Sequence, residues 1–505
     1  MSTQISQLAG QTAIYGLSSI IGRLLNYLLV PLYTRVFLTG EFGVIVEMYS
    51  YVAFLIVLLT YGMETALFRF YQTEKEDRDK VFGTSVTSII TSSILFIIFV
   101  IIFRNNLAEL LRYPQHAEYV VWFAIIIGFD AITAIPFAKL RAENKPVKFA
   151  VIKLINIGIN IGLNLFFLLL CPWIAENGSD FSKSLINTIY NPSVGVGYVF
   201  IANLIASVIT LLLLLPSIIS SKLKLSVPLL KKMLVYALPL LIAGLAGVAN
   251  EALDKLLLKF ILPEDIAMQH VGIYGACFKI AIIMAIFIQA FRFAAEPFFF
   301  SNSEKKEAPE LYANVMKYFV FACLVIFLGI MLFMDVVQHF IGREYREGLD
   351  VVPVLLMGKM FLGIYFNLSI WYKITGQTKY GAIFTIVGAA ITIGLNIWLI
   401  PIYGYFGSAW VQLICYFSMT VMCLYFGQKY FKVPYPWGKI FFMIALALII
   451  YFASTQINIS LSLISHFVNT ILLVSFLVIA VASDKSFSQD FKTIKKRLFG
   501  SRRSV

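Results

Sequence analysis

Arg23, Lys255, Lys279, Lys259, Arg292 and Lys359 all fall inside long apolar stretches of the sequence, where no bulk water is at hand to solvate a charge. A charge at the centre of a bilayer costs about 2.5–3.5 kcal/mol even on insertion scales, so these side chains should face protein, a wet cavity or a ligand. Together they would make an interior cavity net cationic and open to direct substrate contact. Acidic residues share the same stretches. Glu47, Glu64, Asp130, Glu251 and Asp254 are candidates either for proton or sodium coupling or for balancing a nearby Lys or Arg, because a carboxylate in low dielectric has a raised proton affinity.

The charges are uneven along the chain. In the first half, Arg23, Arg35, Arg69 and Lys153 stand against Glu47, Glu64 and Asp130, a formal balance of +1. In the second half, Lys255, Lys259, Lys279, Arg292, Lys317 and Lys359 stand against Glu251, Asp254 and Glu296, a balance of +3. Glu251, Lys255 and Lys259 recur at i, i+4, i+8 on one helical face with Asp254 beside them, which fits a self-neutralising ladder or direct substrate contact. Lys153, Arg292 and Lys317 lie near enough to a span end to snorkel, whereas Arg23, Lys279 and Lys359 lie too deep. Pro31, Pro136, Pro239 and Pro353 each remove a helical hydrogen bond, and a bend at Pro31 is a candidate hinge.

The elements that carry these residues follow from composition. The chain has 505 residues, 60% hydrophobic and 13% charged, and reads as an integral membrane protein of all-α class. About fourteen runs reach the ~20 residues needed to cross the hydrocarbon core. They fall at 11–38, 43–69, 81–103, 117–139, 148–170, 193–215, 233–262, 270–300, 311–334, 350–373, 380–400, 405–427, 437–454 and 460–482. The N-terminus lacks the basic start and small-residue cleavage site of a signal peptide, so the first run is expected to stay as a helix. Lys and Arg crowd into alternate loops (Lys75, Arg78, Lys80; Lys139, Arg141, Lys145, Lys148; Lys222, Lys224, Lys231, Lys232), which puts both termini in the cytoplasm. The net charge of +13 is mostly this bias, so nucleic acid is not an expected partner.

Soluble-enzyme chemistry is not indicated. No Gly-rich loop ends in Lys-Ser/Thr, the four histidines are scattered, and the five cysteines lack metal or redox spacing and read as core residues. No enzyme activity, metal or cofactor is expected beyond a coupling proton or sodium ion.

One membrane unit is written twice. Ile161-Gly162-Leu163-Asn164 recurs as Ile393-Gly394-Leu395-Asn396, each about fifteen residues after a polar basic turn and each followed by a glycine-marked restart. Thr39-Gly40-Glu41-Phe42-Gly43-Val44 and His270-Val271-Gly272-Ile273-Tyr274 match more loosely. Six spans precede the basic loop and six follow it, so the repeats are parallel in the membrane. The expected organisation is an N-lobe at 1–215, a cytoplasmic loop at 216–232, a C-lobe at 233–430, two further spans at 431–483 and a basic amphipathic cytoplasmic tail at 484–505 suited to an anionic leaflet. Pro172 to Pro192, present only in the first copy, reads as a short external loop.

The run from Leu25 to Phe37 with Gly40-Glu41-Phe42-Gly43 resembles the first-span pattern of bacterial polysaccharide-transport proteins, the O-antigen flippase family. Gly62-Met63-Glu64-Thr65-Ala66-Leu67-Phe68-Arg69-Phe70, Asp254-Lys255 and Val271-Gly272-Ile273-Tyr274 are similar to later parts of that pattern, and the likeness covers essentially the whole chain. It implies membership of the multidrug/oligosaccharidyl-lipid/polysaccharide exporter superfamily, with a V-shaped pair of lobes around a central cavity. The implied substrate is an undecaprenyl-diphosphate-linked oligosaccharide, flipped across the bacterial inner membrane by alternating access for O-antigen, capsule or other surface polysaccharide. The implied partners are membrane lipids, a polysaccharide polymerase and a chain-length regulator. Spans 1, 2, 7 and 8 would line the cavity, which favours Arg23, Lys255 and Lys279 as substrate ligands with Lys259 and Arg292 behind them. Lipid II flippases share the span count but typically carry an Arg-Asp pair in span 1, from which Gly22-Arg23-Leu24-Leu25-Asn26 departs. Multidrug exporters of this fold usually stop at twelve spans, and a polymerase or ligase enzyme usually needs a larger external loop than Pro172 to Pro192.

Overall fold

The structure, a computed structural model, describes residues 20–22, 24–73, 78–221, 223–457 and 462–484. Among them the regular structure is entirely helical. In hydrocarbon each backbone N–H and C=O must find its partner within the chain, and a helix achieves this locally. A short helix, α1 (Val30–Val36), is followed by thirteen that are long and apolar enough to cross a membrane. These are α2 (Thr39–Gln72), α3 (Arg78–Ile102), α4 (Ala117–Ala142), α5 (Pro146–Asn177), α6 (Gly197–Ile219), α7 (Val227–Ile261), α8 (Glu264–Asn302), α9 (Ala308–Leu332), α10 (Arg343–Ile374), α11 (Lys379–Tyr403), α12 (Tyr405–Tyr430), α13 (Trp437–Gln456) and α14 (Leu463–Ala482). They answer one for one to the second through fourteenth apolar runs of the sequence. The protein is a multi-pass membrane protein. Of the first run only the part from residue 20 onward is described, and the tail beyond Asp484 lies outside the described residues.

Proline and glycine account for the breaks. Helical residues up to Tyr27 give way to a turn at Leu28 and Leu29, and Pro31 begins the next segment in its first turn, where a missing N–H costs nothing. Pro353 likewise opens the α-helical part of α10 after a 3-10 stretch, Arg343–Val351. Pro136 and Pro239 stay inside α4 and α7. The segment from Pro172 onward, expected as a loop, is helical instead. A π-helical turn at Phe166–Leu170 absorbs the bond that Pro172 cannot make, and α5 continues to Asn177. A second helix, Asp180–Ile189, follows, with the Ser179 hydroxyl accepting from the Ser182 N–H as its cap. Within α2 the helix breaks at Tyr61 and Gly62, both at positive φ, and a Cβ at Gly62 would lie 2.9 Å from the Ala237 carbonyl oxygen of α7.

The doubled motif does the same physical work in both copies. Asn164 and Asn396 are fully buried, and each Nδ2 donates to the carbonyl one turn back, Asn160 or Thr392, at 2.7 Å. Each Oδ1 accepts from a hydroxyl: Tyr33 at 2.9 Å for Asn164, Ser408 at 3.0 Å for Asn396. Cβ atoms added at Gly162 and Gly394 would meet no atom within 4 Å, so these glycines are not held by packing.

The chain resolves into two compact units. The first comprises the described residues up to 279, with 341–348 and 382–415, and its core includes Met63, Leu67, Phe82, Ile135 and Met233. The second comprises residues 280–340, 349–381 and the described residues from 416 to 484, with Phe299, Tyr312, Ile370 and Val433 in its core. There α13 and α14 are fastened to α9. Phe321 stacks on Phe476, Phe327 meets Tyr451 edge-on, and Asn469 Nδ2 donates to the Leu332 carbonyl at 2.7 Å. Asp484 is buried between Lys317 at 2.6 Å and Lys439 at 2.9 Å. Lys317 therefore does not snorkel to water, because a carboxylate 167 residues away reaches it inside the protein.

Replacing Asn164 or Asn396 with Leu orphans a buried hydroxyl, so each variant should lose about 1–3 kcal/mol. Gly162→Ala and Gly394→Ala should be neutral or gain up to ~1 kcal/mol. Thermal denaturation of the purified protein in detergent checks both, and unchanged melting of the Asn variants contradicts the assignment.

Candidate functional site

Two charged clusters lie one turn apart on α7. In the first, Asp254 and Lys255 are both buried. Lys255 Nζ donates to Asp254 Oδ1 and to the Glu251 carbonyl, each at 2.9 Å, so the expected ladder contact at i−4 is made through the backbone. The Tyr274 hydroxyl of α8 donates to Asp254 Oδ2 at 2.6 Å. Lys255 Nζ also sits 4.0 Å from the Phe278 ring centroid, a desolvated cation–π contact. Beside Phe278 on α8 stands Lys279, half-buried and within electrostatic range of Lys255 and Glu251. It makes no hydrogen bond or ion pair among the described residues. A cation already shared with Asp254 and a second without a direct counter-ion together leave room for an anionic ligand.

The second cluster consumes its own charge. Lys259 Nζ donates to both carboxylate oxygens of Glu47 on α2 at 2.8 Å and to the Leu111 carbonyl at 2.6 Å. The Tyr113 hydroxyl donates to Glu47 Oε2, and its ring centroid lies 3.7 Å from Lys259 Nζ. Arg112, at φ 58°, donates to the Lys259 carbonyl at 3.1 Å and pairs with Glu264 at 3.2 Å. Burial of Glu47 and Lys259 is complete or nearly so. These two candidates thus neutralise each other.

Around that pair the first unit closes backbone against backbone. A Cβ on Gly43 of α2 would collide with the Met268 carbonyl of α8, and one on Gly272 with the Thr39 carbonyl. The two glycines belong to the matching openings of the two repeats, so the duplicated segments touch each other. Gly342 N–H donates to Thr34 Oγ1 at 3.0 Å, and the Tyr345 hydroxyl to the Phe37 carbonyl at 2.9 Å. All of these groups lie at helix ends: the end of α1, the start of α2, the start of α8 and the stretch that opens α10.

The remaining candidates are dispersed. Glu64 accepts from Arg141 Nη2 at 2.7 Å, and Asp130 from Ser207 Oγ at 2.8 Å. In the second unit Arg292 lies 4.0 Å from the Phe366 ring centroid and 3.5 Å from Glu296, which also binds Lys373 at 2.6 Å. Lys359 is fully buried, 5.6 Å from the Tyr416 ring centroid. Arg23 lies outside the described residues. Sequence reasoning missed Tyr113, Arg112 and Phe278. Tyr113 and Arg112 sit in a connection with no motif, and Phe278 looks like any aromatic of an apolar run.

Long apolar helices, an apolar exterior and paired charges inside define a multi-pass membrane protein. The residues at 8–303 match the model of the family described as polysaccharide biosynthesis protein. The chain belongs to that family. No curated protein matches the sequence significantly. Among solved structures, a lipid II flippase MurJ in an inward closed conformation is similar with a TM-score of 0.72 at 17% identity, covering 93% of this chain and 99% of that one. An inward-facing multidrug resistance MATE transporter of the MOP superfamily aligns with a TM-score of 0.59 at 15% identity, covering 84% of this chain and 93% of its own. An outward-facing multidrug resistance MATE family transporter gives 0.57 at 16%, covering 83% of this chain and 95% of that one. The fold is that of MurJ and the MATE transporters.

Lys259→Met leaves a buried carboxylate without its cation and should cost about 3–5 kcal/mol. The double variant Glu47→Lys/Lys259→Glu restores opposite charges and should recover a large part of that loss. Melting temperatures of the single and double variants test the pairing, and equal destabilisation in both contradicts it.

Proposed function

We propose that this protein flips an undecaprenyl-diphosphate-linked oligosaccharide from the inner to the outer leaflet of a bacterial inner membrane, for assembly of O-antigen, capsule or another surface polysaccharide. The substrate is moved by alternating access and is not chemically changed. The observation that carries this reading is the Lys255 and Lys279 pair, set within membrane-spanning helices of a chain from a polysaccharide-biosynthesis family. A diphosphate needs cationic partners away from lipid, whereas a polyprenyl tail is already soluble in the bilayer. On this reading both termini are cytoplasmic, and Arg23 joins the two lysines as a substrate ligand.

Alternating access then requires that the outer closure open. Glu47 must leave Lys259, and the Gly43 and Gly272 backbones must separate, each time the glycan exits. Glu47, Glu64, Asp130, Glu251 and Asp254 are the carboxylates available to a coupling proton or sodium ion. A polymerase and a chain-length regulator would act on the released product. The lipid II flippase reading shares the diphosphate and differs in the group attached to it, and it is the second choice.

In a deletion strain, Arg23→Ala, Lys255→Ala and Lys279→Ala should each reduce surface glycan at least tenfold while membrane abundance stays at the wild-type level. The lipid-linked intermediate should accumulate on the cytoplasmic side. Normal surface glycan in all three variants contradicts the site, and rescue of a lipid II flippase depletion by the wild-type gene overturns the choice of substrate.

A further inference from the structure

A cavity of about 640 Å³ opens on the surface of α5 and α6, apart from both clusters on α7. Its lining is of two kinds. At one end stand Asn144, Lys145, Pro146 and Lys148, at the start of α5; below them run Val147, Val151, Ile155 and Leu213, with buried Ile152 as the floor. The apolar wall continues the exposed face that α5 turns to lipid at Leu154 and Leu165. The polar end lies on the basic connection that carries Lys139, Arg141, Lys145 and Lys148, level with the cytoplasmic interface by the charge bias of the loops.

The local charge decides what fits. Lys145 pairs with Glu143 at 2.7 Å, and Glu143 is further held by the Tyr71 hydroxyl at 3.0 Å and by Lys139 at 3.8 Å. Burial tends to raise the Glu143 carboxyl, but the Lys145 and Tyr71 hydrogen bonds and the two lysine charges prevail and hold it below the usual range. Lys148 makes no ion pair among the described residues. Glu143 is thus shared by Lys139 and Lys145, which leaves the mouth net cationic. The first turn of α5 has no acidic residue and no side-chain cap, so its orphan N–H groups add to the positive potential.

We infer that this cavity is a binding site for an anionic glycerophospholipid of the inner leaflet, with the phosphodiester at Lys148 and Lys145 and one acyl chain along Val151, Ile155 and Leu213. Basic pockets between membrane helices on the cytoplasmic side recognise lipid head groups in this manner. A net cationic mouth beside an apolar groove matches an anionic phosphodiester with its acyl chain. The bound lipid would brace the turn at Asn144, which is held at φ 55°.

The test uses the full-length protein purified in mild detergent, with native mass spectrometry for retained lipid and melting temperature in micelles doped with phosphatidylglycerol or phosphatidylcholine. Phosphatidylglycerol should co-purify and should raise the melting temperature where phosphatidylcholine does not. Lys148→Gln should cut retention at least fivefold, and Val151→Trp, which fills the groove but keeps both lysines, should do the same. Equal stabilisation by the two lipids, or undiminished retention in both variants, overturns the site. So does displacement of phosphatidylglycerol by equimolar undecaprenyl phosphate.

Discussion

The rest of this structure depends on one constraint: a polar group carried into the hydrocarbon core must meet its partner there. Glu47 and Lys259 show how stringent it is. Neither is tolerable alone in such burial, and each is bound by several groups: a lysine by two carboxylate oxygens, a carbonyl and an aromatic face, and a carboxylate by the lysine and a tyrosine hydroxyl. Asp254 with Lys255 and Tyr274, and Asp484 with Lys317 and Lys439, follow the same rule. These sets tie α7 to α2, α7 to α8 and the end of α14 to α9 and α13. Lipid-facing apolar surface cannot select among neighbours this way, because a leucine is as content against an acyl chain as against another helix.

How much of this was legible in the sequence follows from the range of each interaction. Span positions depend only on local hydropathy and bilayer thickness, and thirteen runs read from composition became the thirteen long helices among the described residues, with ends displaced by up to seven residues. Pro172 misled because a proline with polar residues after it usually ends a helix, and the π turn that carries α5 past it has no sequence signature. Pairing is worse placed. Glu47 and Lys259 are 212 residues apart, and nothing at either position names the other. Lys255, Lys259 and Glu251 did share a helical face, but lysines with long stems reach away from the ladder: Lys259 crosses to α2, and Lys255 bends onto an aromatic ring.

The duplicated Ile-Gly-Leu-Asn separates what the two copies conserve from what they do not. Asn164 and Asn396 solve one backbone problem identically, donating one turn back and accepting from a hydroxyl on another element. A neutral amide does this with no counter-ion, so it survives duplication without a matched change elsewhere. A charge has no such freedom, since moving it strands its partner. The neutral framework can therefore stay symmetric while the charged positions diverge, and Gly43 against Gly272 is where the symmetric openings still meet.

On the proposed function, the difference between Lys255 and Lys259 has a kinetic meaning. A transporter must hold its substrate strongly enough to desolvate it and weakly enough to release it, as conduction sites must. Lys259, gripped by both oxygens of Glu47, has little left for a ligand and serves closure instead. Lys255 shares one Asp254 oxygen, whose other oxygen is occupied by Tyr274, so a diphosphate arriving there competes with a partner that can take the lysine back. Lys279, without a direct counter-ion, supplies the attraction, and Asp254 supplies the means of letting go. On that reading Asp254 is as much a part of the site as the lysines, and its charge would set how long the substrate stays.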